Sequence, residues 1–349
     1  MQISKNSFTT FYLLLLAGSI YTHDFDVVDK MAIQFFLISV SNLIGIIGLT
    51  FYYQKSFFLK SFKHPLILLY SGYLIMSVLS MIKSINIIES FVELGQLFTI
   101  LITMILLIFL VYERLVKTNH ILIILTISLI IDVTFSLTGY LPFVYNNIPY
   151  SLDDNWRLVG LYGNRNVLAT TLAFRIPVVI ILANRLNRNR IYLLSFFLIT
   201  TAFFNILLLS SRATYLAIII CFCFIVLVAI VRYLKDKHNI LSVNRSIIFL
   251  YIVPCIVAYY ISNNSIDPGT QGKVTSRVST ITSLNDDSKN TRLRYYKQSL
   301  SHIIKNPLLG TGIGNWKILS IKYDSEYIQN YIIPYNAHND ILEAAAETG

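Results

Sequence analysis

Long apolar stretches alternate with short polar ones along most of the chain, each close to the roughly 20 residues a helix needs to cross a bilayer. They fall at about 7–22, 31–53, 65–82, 93–112, 120–140, 167–183, 191–209, 213–233 and 246–261, and a tenth begins near Asn339. In hydrocarbon no water is present to satisfy backbone N–H and C=O groups, so such stretches fold as helices. The pattern predicts an all-α fold, a polytopic transmembrane helix bundle with a large outer loop region. The first stretch ends in Tyr21-Thr22-His23-Asp24. That sequence lacks the small residues of a signal cleavage site, and the stretch reads as a span.

Polar positions gather in two longer segments, 141–166 and 262–338. The expected organisation is therefore N-terminal helices with a first outer loop (1–166), central helices (167–261), a large loop (262–338) and the start of a further helix (339–349). Inside the large loop, Leu293, Tyr296, Leu300, Ile303 and Ile304 recur at helical spacing, which predicts an amphipathic helix over 291–305. Pro307 and the glycines Gly310, Gly312 and Gly314 then end it in a tight turn. That turn is either a structural corner or a ligand contact.

Composition agrees with the pattern. The chain is 55% hydrophobic and 13% charged, with a mean hydropathy of +0.63, whereas soluble domains are about one quarter charged. A disordered chain would need low hydrophobicity and high charge, and three cysteines are too few for a disulfide scaffold. Cys221 and Cys223 stand two apart and do not share a helix face, so they read as packing residues.

The net charge of +10 would suit a nucleic-acid partner if it were clustered in a binding motif, and none is found. It is mostly a topology signal, because short cytoplasmic loops collect Lys and Arg. With the N-terminus inside, the inside segments carry Lys5, Lys55, Lys60, Lys63, Arg114, Lys117, Arg185, Arg188, Arg190, Arg232, Lys235, Lys237 and Arg245. The short outside loops carry only Lys30 and Lys83. Long translocated loops are exempt from this rule, so the nine cations between Lys273 and Lys322 call for another explanation. An anionic ligand provides one.

Candidate chemistry is sparse. The GxGxG spacing of Gly310–Gly314 is not the dinucleotide fingerprint, and Gly269–Lys273 is too short for a phosphate loop. His338 has no second histidine four residues away, which speaks against a two-histidine metal helix. A neutral imidazole is available near pH 7, so His338 is either a general base or an interfacial hydrogen-bonding group. Arg175 and Asp132 sit near the middle of adjacent antiparallel spans. Membrane charges pair or face water, and the two are expected to form an ion pair, the alternative being a polar cavity around Arg175.

NPLLGTGIGNWK (306–317) followed by AHNDILEAAAETG (337–349) resembles the signature of the O-antigen ligase and polymerase superfamily. RLVGLYGNRN (157–166) and SSRATYL (210–216) resemble two upstream segments of that family. Together the resemblance covers roughly 155–349, in the family's order. Arg165 stands where the family usually has proline, and Tyr296 where tryptophan is common. The family pattern also continues for about two spans past the position of Gly349.

The resemblance implies glycosyl transfer at the outer, periplasmic face of the cell inner membrane. The donor would be a glycan on polyprenyl pyrophosphate, and the acceptor a sugar hydroxyl on lipid A-core or on another glycan. It implies no cofactor, metal or nucleotide sugar, and no nucleic-acid partner; membrane lipid surrounds the protein. By the resemblance His338 is the catalytic residue, and Arg212 and Arg292 bind the pyrophosphate, with Arg157 and Arg165 as weaker candidates. Planar guanidinium forks suit phosphate oxygens. Read alone, Arg212 is equally a snorkelling helix-end residue, and Arg294 rivals Arg292. Chain extension by a polymerase shares the same donor. A transporter or flippase is the other class, but it would spread charge through the midplanes, where this chain has mainly Asp132 and Arg175.

Overall fold

A computed structural model describes residues 5–21, 30–52, 61–235, 248–266, 287–327 and 335–349. The start of the large loop, 267–286, lies outside the described residues, as do 53–60 and 236–247, which hold several of the inside-loop cations. The described residues are helical, with one isolated bridge between Tyr150 and Ile266 and no strand.

The helices are α1 (Lys5–Gly18), α2 (Lys30–Tyr52), α3 (Pro65–Ser80), α4 (Ile87–Tyr112), α5 (Thr118–Tyr145) and α6 (Arg165–Leu186). They continue with α7 (Asn189–Leu209), α8 (Arg212–Lys235), α9 (Val253–Ser265), α10 (Asp287–Lys305), α11 (Trp316–Asp324) and α12 (Asp340–Thr348). Six helices among the described residues, α2 to α7, are long and apolar enough to cross a membrane. The fold is an all-helical transmembrane bundle, as expected.

Local chemistry sets the helix starts. The Asn86 side chain accepts the Ile88 amide at 3.0 Å and opens α4. Asn164 accepts the Asn166 amide at 2.8 Å and opens α6, and Asn339 accepts the amides of Ile341 and Leu342 and opens α12. Each satisfies donors that the first helical turn leaves without partners. Asn187 and Ser210 end α6 and α7 in the left-handed conformation.

The chain forms two compact units. The first takes in 1–22, 26–116 and 284–349, so both ends of the chain build it. There Tyr12 of α1 donates to Asn42 Oδ1 of α2 (3.2 Å), and Asn42 Nδ2 donates to Thr99 O (3.1 Å) and Thr103 Oγ1 (2.9 Å) of α4. Small polar groups of this kind join helices where hydrophobicity gives no preference.

The second unit, 23–25 and 117–283, holds α5 to α9. Its core includes Leu129, Leu172, Ile176, Phe203 and Leu250. The expected ion pair is present: Arg175 donates to Asp132 Oδ2. The two residues are 8% and 3% exposed.

Candidate functional site

The glycine-rich turn after α10 is a structural corner. Gly310, Gly312 and Gly314 have φ of 55°, 91° and 74°, a region that favours glycine. Residues 310–316 are all buried. On one side the Thr311 and Gly312 amides donate to Ala346 O and Glu347 O of α12, each at 3.0 Å. On the other side the Ile313 amide donates to Ser80 Oγ (3.0 Å), and Ser90 Oγ donates to Ile313 O (2.6 Å). The Asn315 side chain accepts the Asn86 amide (2.6 Å). The motif NPLLGTGIGNWK thus locks α12 to the α3–α4 corner.

Glu347 Oε1 accepts the Trp316 amide (2.9 Å), and Glu343 Oε2 accepts the Ala337 amide (2.9 Å). Both carboxylates line a cavity of about 140 Å³ together with Glu93, Gly314, Lys317 and Asn336. Lys317 Nζ also reaches Glu89 Oε2 at 2.5 Å. Sequence reading missed this polar cavity. The signal for it was the four-residue spacing of Glu343 and Glu347, which puts two acids on one helix face. Among the described residues no group of three or more His, Cys, Asp and Glu is arranged to hold a metal ion.

Two residues before the start of α12, His338 is exposed, with φ at 55°. Its ring stacks on Tyr295 of α10, centroids 5.8 Å apart and planes 19° apart. Tyr296 Oη donates to the His338 carbonyl at 3.3 Å. The imidazole pKa lies below its ordinary value, first through loss of hydration against its neighbours and second through the positive charge of Arg292. A neutral imidazole presented to solvent is chemically a proton acceptor.

Arg292 and Arg294 differ in their surroundings. Arg294 is engaged by Asp324 of α11, with Nε to Oδ1 at 2.7 Å and Nη2 to Oδ2 at 3.1 Å, and it stacks over Tyr327. Such a two-pronged pair is a structural clamp. Arg292 is exposed and acts electrostatically on His338. The structure therefore brings together His338 and Arg292 of the predicted set.

The other three arginines belong to the second unit. Arg212 is half-buried at the start of α8, just after the left-handed Ser210. Arg165 is half-buried as the first residue of α6. Arg157 is exposed near the end of a short 3-10 turn, 3.6 Å from Asp154 and over the rings of Trp156 and Phe143.

No curated protein and no solved structure matches the chain. A family model does match residues 194–349, the stretch that holds Arg212, Arg292, the glycine turn and His338, and its description is O-antigen ligase. Over that stretch, a little under half of the chain, this multi-pass membrane protein is similar to the O-antigen ligase family, a group of ligase- and polymerase-type membrane enzymes.

Proposed function

We propose that the protein transfers a glycan from a polyprenyl pyrophosphate donor to a sugar hydroxyl, as in ligation of O-antigen to lipid A-core. The active site would face the periplasm from the inner membrane. One observation carries this reading: His338, stacked on Tyr295 and with its pKa lowered by lost hydration and by the charge of Arg292, stands just before the helix that the glycine turn holds.

In the proposed reaction the acceptor hydroxyl attacks the anomeric carbon of the donor sugar while His338 takes the hydroxyl proton. The bond from that carbon to the phosphate oxygen breaks, and polyprenyl pyrophosphate leaves with the electron pair. One displacement inverts the anomeric configuration. A positioned base is worth about 10²–10⁴-fold in rate. Arginines aimed at the departing pyrophosphate stabilise charge where it develops, and that role is proposed for Arg212 and Arg292, with Arg157 and Arg165 assisting. The energy comes from the donor's own pyrophosphate linkage, so the reaction calls for neither nucleotide nor metal.

The test is transfer from lipid-linked donor to lipid A-core by purified protein with EDTA present. His338→Ala is expected to cut turnover at least about 10²-fold with donor binding retained, while Arg212→Ala and Arg292→Ala also weaken donor binding. Near-normal turnover in His338→Ala would overturn the base assignment. Loss of all activity with EDTA would overturn the metal-free reaction. In a strain lacking the gene, loss of all long glycan from lipid A-core supports ligation, whereas a single-repeat product points to chain extension.

A further inference from the structure

The buried Asp132–Arg175 pair does more than join two helices, because a third group ties it to the segment that carries Arg157 and Arg165. Tyr162 Oη donates to Asp132 Oδ2 at 3.0 Å. The segment before it follows α5 step by step. A Cβ on Gly139 would stand 2.0 Å from the Arg157 carbonyl oxygen, and one on Gly160 would stand 3.6 Å from Phe135 Cβ. Contacts at 139, 135 and 132 lie three and four residues apart, on one face of α5. Residues 157–162 thus descend along that face and end with the tyrosine hydroxyl on the carboxylate that Arg175 of α6 also grips. Leu158 within the segment is fully buried. Two residues after Tyr162, Asn164 caps α6 and Arg165 begins it.

Charges halfway along apolar helices are costly and mark function by default. Apolar residues of similar volume would join α5 to α6 at no less stability. What apolar residues cannot do is hold a phenol hydroxyl at a fixed depth, and with it the backbone on either side.

We propose that Asp132, Arg175 and Tyr162 are positioning residues for the donor. They fix the 157–165 segment so that Arg157 and Arg165 meet the pyrophosphate in one arrangement. The inference rests on the donor class proposed above but not on the transfer step. None of the three touches the donor; they act through the two arginines.

Binding of a fluorescent short-chain polyprenyl pyrophosphate to the full chain in detergent tests this, with the matching polyprenyl alcohol as control. Tyr162→Phe keeps the ring and removes only the hydroxyl. It is expected to weaken pyrophosphate binding about tenfold while leaving alcohol binding and the melting temperature close to wild type. Asp132→Asn should weaken binding at least as much, and Asp132→Glu should restore part of it. Pyrophosphate binding at wild-type strength in Tyr162→Phe would overturn the proposal, whatever the melting temperature does. If Asp132→Asn fails to fold, Tyr162→Phe alone decides. No pyrophosphate binding by the wild-type chain would also overturn it. Wild-type binding without glycan transfer would sink the proposed reaction and leave the positioning role standing.

Discussion

His338 gains its character from its surroundings rather than from its own chemistry. Partial loss of hydration against its neighbours and the charge of Arg292 both disfavour imidazolium, so the ring stays neutral to lower pH than the ordinary value of about 6.5. A base acts in its neutral form. The acid limb of kcat/KM should therefore have its midpoint below about 6.5, and Arg292→Gln, by removing a positive neighbour, should move that midpoint upward. Measuring kcat/KM from pH 4.5 to 8 for both proteins checks this, and a midpoint that stays put in Arg292→Gln would separate the two residues. The sequence already singled out this histidine, because the motif that carries the family resemblance is local and its spacing spoke against a zinc pair. The resemblance, by its spacing back from Pro307, favoured Arg292 over Arg294, whereas the residues read alone did not separate them. That distinction rests on Asp324, thirty positions from Arg294, and no local pattern encodes which side of α10 will meet that carboxylate.

At the scale of elements, each apolar stretch of the sequence coincides with a helix, but among the described residues only six of the nine expected spans are long and apolar enough to cross a membrane, and the pattern placed helix ends less well. It started the fourth span near 93, whereas α4 starts at Ile87, because the Asn86 cap and the polar residues Glu89 and Ser90 form a first turn that packs on the glycine-rich corner. The loop helix begins at Asp287 rather than 291, since polar residues extend a helix without adding to its apolar stripe. The glycine turn was visible as a turn, but its partners, Ser80, Ser84 and Ala346, are remote in sequence. They give it a sharp test. A Cβ on Gly312 would stand 2.7 Å from Ser84 Cα and 2.9 Å from Ser84 N, in a backbone with φ of 91°. Neither atom is the end of a flexible side chain. Gly312→Ala should cost roughly 2–3 kcal/mol, read as a lower melting temperature in detergent. Gly72→Ala, where nothing lies within 4 Å of the new methyl, should leave it unchanged.

For the whole molecule, the Lys and Arg bias predicts an orientation that can be measured directly. Alkaline phosphatase fused after Asn290 should be active, and the same reporter after Asn187 inactive; the reverse would invert the topology and move His338 to the cytoplasm. The division into two units was not legible in the apolar runs, because the loop helix and the last helix complete a unit begun by the first four helices. That arrangement sets a timetable for biogenesis. The Asn86 amide receives its side-chain acceptor only when Asn315 arrives, 229 residues later, and Ser80 and Ser90 wait for Ile313. Throughout synthesis of the intervening unit, the α3–α4 corner must remain hydrated and accessible. Such late, long-range closure is slow, so a stalled or shortened nascent chain would display this corner to membrane quality-control proteases, and protection of the 81–86 turn would report that the chain has been read through to its glycine lock.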